Sequence, residues 1–244
     1  MIISDDSPLR MIPSRSSVKQ ALFLDGIRYA VDMTDHAHCR LIDRLVDFDQ
    51  AFRRNSNVPD GGLVTRWHVP IFLDAWSIVD SVHRLRRLLD RMPGLRKRDP
   101  GYQVFNRQTA VIDDLRNSIQ HLETEIDHLV RDKLPVWGAI GWVCMSAPGA
   151  AECSLYTMVA GSANWQMAPL VNPLGKGVGS PVDLITLWAA GLEVGLSHTV
   201  GAVGKLVAAL ENHMRQEFND LSKRPADVSI RAGLQFGQRP CETR

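Results

Sequence analysis

Apolar residues recur at alternating intervals of three and four along three stretches of the chain, the spacing that lays a stripe down one side of an α-helix. The first stretch holds Leu41, Ile42, Leu45, Val46 and Phe52 and predicts a helix to about Arg54, with Thr34 as N-cap and Asp35 favourable in the first turn. The second holds Phe72, Ala75, Trp76, Val79, Val82, Leu85, Leu89 and Met92. It predicts a helix from about Thr65 to Met92, stopped by Pro93-Gly94, with Pro70 tolerated only in the first turn. The third holds Ile112, Leu115, Ile119, Leu122, Ile126 and Leu129 and predicts one helix from about Tyr102 to Lys133, ended by Pro135. Asn55 to Gly62 reads as a loop and residues 94–101 as a basic connector. Before the helices, Ala21 to Leu24 and Ile27 to Val31 flank Asp25-Gly26, which predicts a hairpin over residues 18–33. The rival reading is helix running straight through, at the cost of one interior Gly.

The pattern changes after Pro135. From Val136 to Leu206 the only charged residues are Glu152, Lys176, Asp183, Glu193 and Lys205. Ala139 to Met145, Cys153 to Val159, Leu184 to Ala189 and Leu192 to Val200 read as strands, with Pro148-Gly149 and Ala190-Gly191 as turns. Residues 161–181, rich in Gly, Pro, Asn and Ser, are too long for a plain connection and suit a functional loop or flap. A last helix is expected from about Val203 to Phe218. These elements predict an α+β fold, with the N-terminal hairpin and the C-terminal strands in one small antiparallel sheet against an antiparallel helical bundle. The expected organisation is a loose arm over 1–16, hairpin and bundle over 17–134, a β-rich extension with its final helix over 135–220 packed on the bundle, and a polar tail over 221–244.

Composition narrows the partners. Hydrophobic content is 45%, charged content 23% and formal net charge +1, so any attraction to nucleic acid must come from a local patch. Cys39, Cys144, Cys153 and Cys241 have no metal-type spacing and read as reduced thiols of a cytoplasmic protein. Ser4, Asp5 and Asp6 come where a signal peptide would be basic and then apolar, so none is expected. No run of about twenty residues in 136–206 escapes Pro, Gly or polar interruption, which argues against a membrane span.

The candidate chemistry lies on the third helix, in the run Arg116-Asn117-Ser118-Ile119-Gln120-His121. Asn117 and His121 are four apart and share a face away from the apolar stripe, with Arg116 at the border. Histidine suits proton transfer near neutral pH, and a planar Arg donates paired hydrogen bonds to phosphate oxygens while staying charged. The bland alternative is an ordinary solvated helix face. The Arg-Asn-x3-His run, on an amphipathic helix that follows another long one, resembles the active-site motif of the HEPN superfamily; the likeness covers roughly residues 34–134. That resemblance implies a helical bundle and a metal-independent endoribonuclease, a toxin or defence effector, with no cofactor. It also implies a homodimer in which two motif copies form one site, with RNA and an antitoxin or other protein as partners. His121 would be the general acid or base, Arg116 would hold the scissile phosphate, Asn117 would position, and the product would be a 2′,3′-cyclic phosphate. Asp113 could hold Arg116 or form a surface ion pair; Asp80 and His83 of the second helix are candidate supporting groups. The alternative of another class is a non-catalytic module that keeps the bundle for dimerisation or partner binding.

Arg84, Arg86, Arg87, Arg91, Arg96, Lys97 and Arg98 crowd the end of the second helix and its connector. They suit a phosphate track, or equally a wet helix C-terminus complementing the macrodipole. His36-Ala37-His38-Cys39 opens with metal-like residues at spacings that do not converge on a helix, so no metal is expected. Gly175 to Ser180 lacks the order of a phosphate-binding loop, and Ser146 and Ser154 join no nucleophile arrangement.

Overall fold

Helix α1 runs unbroken from Val18 to Arg54 in the computed structural model, which describes residues 1–13, 16–54, 64–95, 97–145, 152–161, 171–179, 181–217, 221–223, 227 and 231. The expected hairpin is therefore a correction: residues 18–33 are helical. Ser17 starts the helix as half of a capping box. Its Oγ accepts from the Gln20 amide at 3.2 Å, and Gln20 Oε1 accepts from the Ser17 amide at 3.0 Å. Leu24, Ile27, Val31, Thr34, Leu41 and Leu45 then form one buried stripe at helical spacing. Thr34 is no N-cap but sits mid-helix, its hydroxyl donating to the Ala30 carbonyl at 2.8 Å. Gly26 is not a turn residue. A Cβ there would lie 3.0 Å from Leu88 Cδ1, so the missing side chain lets a second helix approach.

That helix, α2, spans Val64–Arg91. Pro70 lies inside it, beyond the first turn where it was expected, and removes the donor that the Arg66 carbonyl would receive. Its own carbonyl accepts from Arg44 Nη1 at 2.7 Å, a bond that ties the proline turn to α1. Ile71, Phe72, Ala75, Ile78, Val79, Val82, Leu85 and Leu89 are buried, as the apolar stripe predicts. The expected loop over Asn55 to Gly62 lies outside the described residues.

The single third helix expected from Tyr102 to Lys133 is three: α3 (Pro100–Gln108), α4 (Val111–Gln120) and α5 (Leu122–Asp132). At the first break the Ala110 amide turns to the Arg107 carbonyl at 3.5 Å, and Arg86 Nη1 donates to the freed Asn106 carbonyl at 2.7 Å and to Thr109 Oγ1 at 2.8 Å. The second break is at His121, at φ −112° and ψ 32°. Lys133, at φ 54°, caps α5 in the left-handed region ahead of Pro135.

The N-terminal residues are not a loose arm. A 3-10 turn at Pro8–Arg10 leads into strand β1 (Met11–Pro13), and Ile3, Ser7 and Leu9 are buried. Arg10 is fixed to Asp32 at 3.2 Å. After α5 come β2 (Ala139–Met145), β3 (Cys153–Val159), β4 (Val182–Ala189) and β5 (Leu192–Gly195). They form one antiparallel sheet in the order β3-β2-β4-β5. Ala190 and Gly191, at φ 51° and 76°, make the tight turn between β4 and β5. The strand expected to reach Val200 stops at Gly195. Leu196, Thr199, Val200, Val203, Leu206 and Val207 are buried at helical spacing in α6 (Leu196–Glu217). A last strand, β6 (Leu221–Lys223), pairs antiparallel with β1. The N-terminal segment thus pairs with residues 221–223, which were expected to open the polar tail, and takes no part in the four-stranded sheet. The fold is α+β and mostly helical, and its buried apolar cluster runs from Ile3 to Met214. The turn at Pro148-Gly149 lies outside the described residues, as do most of the residues beyond 223.

Candidate functional site

Helix α2 and helix α4 run antiparallel and meet over a buried seam in which Val79, Val82, Ile112 and Leu115 are all sealed from solvent. Along the edge of that seam stands a polar ladder, one rung per turn. Asp80 Oδ1 lies 3.8 Å from Arg116 Nε. One turn on, His83 Nδ1 lies 2.8 Å from Asp113 Oδ1. One turn further, Arg86 donates to Thr109 Oγ1 at 2.8 Å and, through Nη2, to Asp113 Oδ2 at 2.9 Å. From rung to rung α2 advances by three residues while the facing chain runs back from Arg116 to Asp113 and Thr109, by three and then four, which is why these particular side chains meet.

Asp113 is the centre of the ladder. Burial pushes its carboxyl upward, but hydrogen bonds from Arg86 and His83 outweigh that and hold it below the usual carboxylate range. An ionised carboxylate only accepts, so His83 carries its proton on Nδ1, and in the neutral ring Nε2 is the basic nitrogen. Arg116 is differently held. Its Nε is buried and has no hydrogen-bond partner among the described residues, and Asp80 is at the outer edge of ion-pair range. Asp80 is itself shared, since Arg84 reaches its Oδ2 at 2.8 Å.

The structure therefore brings Asp80 and His83 of α2 to the motif helix, where His83 meets Asp113. It places Asn117 and His121 on the exposed side, joined through the backbone by the bond from the His121 amide to the Asn117 carbonyl at 3.2 Å. No side-chain hydrogen bond links His121 to Arg116 or Asn117 among the described residues. Arg86, read in sequence as one member of a basic cluster, turns inward and organises the ladder. The signal available for it was its spacing from His83, three residues along the face that meets Asp113 and Thr109.

The rest of the basic cluster divides. Arg84 is engaged by Asp80, and Lys97 by Asp90 at 2.8 Å. Arg87, Arg91 and Arg98 are exposed, and Arg96 lies outside the described residues. No group of three or more His, Cys, Asp or Glu residues placed to hold a metal ion occurs among the described residues. Within the metal-like run, His38 is half-buried, its pKa lowered by burial, while Cys39 is exposed. The Gly175 loop leads into strand β4, not into a helix N-terminus that would bind phosphate. Ser154 is on β3, and Ser146 lies outside the described residues.

Two further features were not foreseen. An apolar groove of about 510 Å³ opens between α2 and the sheet, with Phe72, Leu73, Trp76, Trp137 and Val159 in its walls. Elsewhere, buried Asp49 accepts from Tyr156 Oη at 2.7 Å and from Arg53 Nε at 2.9 Å. Burial and this carboxylate raise Tyr156 to about 12 and the neighbouring Cys144 to about 11, which keeps that thiol protonated and unreactive.

Compared with family models, with curated proteins and with solved structures, the chain matches none. No described helix is long and apolar enough to cross a membrane.

Proposed function

We propose that the chain is a metal-independent endoribonuclease of HEPN type, with Arg116, Asn117 and His121 as the reacting set. The observation that carries this reading is the state of Arg116. Its guanidinium stands at the end of a polar ladder, yet its ion-pair partner among the described residues, Asp80, is 3.8 Å away. Such a cation can turn from Asp80 to a phosphate oxygen without breaking a short hydrogen bond. Asn117 and His121 are exposed beside it, where a ribose hydroxyl and a leaving 5′-oxygen could reach them. His83 is a positioning residue. It lies opposite Asp113, eight residues before His121, and at 1.5 Å per residue that is about 12 Å along the axis, too far to share one phosphate. The second proton-transfer group then comes from the His121 of another copy, which is the homodimer that the HEPN resemblance implies.

The test is cleavage of mixed-sequence RNA by the full chain in EDTA. Arg116→Ala and His121→Ala should each lower the rate by about 10²- to 10⁴-fold, with melting temperature unchanged. Cleavage that needs a metal, or that survives both substitutions, sinks the proposal.

A second reading is a non-catalytic module that an antitoxin or another protein would engage; it is favoured by the apolar groove, where Val69 and Leu73 are 73% and 58% exposed. On that reading Arg116→Ala and His121→Ala leave function intact, while Leu73→Asp abolishes partner capture.

A further inference from the structure

The spacing of Asp80, Arg84, Arg87 and Arg91 is four, three and four, so the four side chains lie on one face of α2, one per turn. The face is continuous with the polar ladder, because Asp80 contacts both Arg84 at 2.8 Å and Arg116 at 3.8 Å. Arg87 and Arg91 are exposed, and neither forms an ion pair among the described residues. Asp90 lies beside both, but its Oδ1 is taken by Lys97 Nζ at 2.8 Å. Complementing the helix macrodipole accounts for Arg91 in the last turn and the ion pair with Asp80 for Arg84, but the macrodipole effect fades within one turn and leaves Arg87 without a reason.

We infer that this stripe is a track for the backbone of single-stranded RNA, running along α2 toward Arg116; the inference rests on the ribonuclease reading above. One cation per turn on a single convex helix follows one strand. Duplex RNA is gripped instead across its minor groove, through contacts to both strands. No aromatic side chain interleaves the stripe, so its contacts are with phosphates and carry little base preference. Arg84 has a different part from Arg87 and Arg91: by sharing Asp80 with Arg116, it offers that carboxylate a second partner when Arg116 turns to the scissile phosphate.

The test measures binding and cleavage separately. Binding is followed by fluorescence anisotropy of a labelled single-stranded RNA of mixed sequence in EDTA, across a salt series, on full chain carrying His121→Ala so that the probe survives. Adding Arg87→Gln and Arg91→Gln should weaken binding at least tenfold at low salt. It should also reduce the slope of log affinity against log salt by about 1.4, or about 0.7 for each lost phosphate contact. Both positions are exposed, so an unchanged melting temperature checks the fold. An unchanged slope, or no salt-dependent binding before the substitutions are added, overturns the track. Tighter binding of a duplex, with the same loss in the variant, overturns the single-strand assignment. If His121→Ala leaves cleavage intact while the slope still falls, the ribonuclease assignment of His121 fails and the track stands.

Discussion

Helix α2 carries the same chemistry to two neighbours and seals only one of the two sites. Toward α1 it presents Asp74, whose side chain is 0% exposed and is gripped by Arg40 and Arg44. Toward α4 it presents His83 and Arg86 to Asp113, whose side chain is 33% exposed. Each site pairs one carboxylate with two basic side chains across a helix interface. Water decides how they differ. A carboxylate with no access to solvent depends wholly on its partners, because removing them leaves a charge that nothing else solvates. A carboxylate one-third exposed exchanges partner for water at small cost. The sealed site therefore reads as a structural clamp, and the open one as a place where charged groups can change partners.

Substitution should separate the two. Asp74→Ala strips both arginines of their carboxylate at the proline turn of α2 and should cost about 3 kcal/mol in urea denaturation. Asp113→Asn should cost less than about 1 kcal/mol, since its network is part-exposed. A loss at Asp113 as large as that at Asp74 would break the distinction. The open site also has a pH signature. The carboxyl of Asp113 lies below its ordinary value of 3.8 in the folded chain, so its contribution is complete above that value and disappears as pH falls through the lower folded one. The stability difference between wild type and Asp113→Asn should be flat above about pH 5 and shrink only in acid. A difference that stays flat down through about pH 3 would break this assignment.

Much of this arrangement was legible in the sequence where one periodicity dominated. The stripe from Phe72 to Leu89 gave α2 and its buried face, and the β-branched and aromatic runs gave β2, β3 and most of β4. Asp80, His83 and Asp113 were legible as polar residues near the motif, but their pairing was not, because no local rule tells which turns of two helices lie opposite. The break at His121 was hidden by an apolar stripe that continues across it, and the break at Thr109 lies ahead of the first residue of that stripe, Ile112. A side chain from another helix, Arg86, occupies the carbonyl left free at the Thr109 break. Thr199-Val200 reads as strand by β-branching, yet burial at helical spacing puts it in α6. The N-terminal segment looked loose because Ser, Pro and mixed charge break any period in it; long-range partners such as Asp32 for Arg10 and Lys223 opposite Met11 order it.

Asp25-Gly26 is the case where two local rules competed, and the smallest expected effect tests which one won. A hairpin needs Gly26 at positive φ, where an added Cβ is strained and alanine would destabilise by more than about 1 kcal/mol. In the helix, alanine recovers about 1 kcal/mol of propensity and adds a methyl 3.0 Å from Leu88 Cδ1. Leu88 is only partly buried and its Cδ1 is the end of a rotatable side chain, so it can move by the few tenths of an ångström required. The two contributions nearly cancel, and Gly26→Ala should unfold within about 0.5 kcal/mol of wild type. Gly26→Val adds a second branch in the same space and loses most of the propensity gain, so it should fall below wild type by about 1–3 kcal/mol. Near-neutral alanine with destabilising valine is the signature of a close helix crossing at Gly26. Equal losses for both would return the residue to a turn.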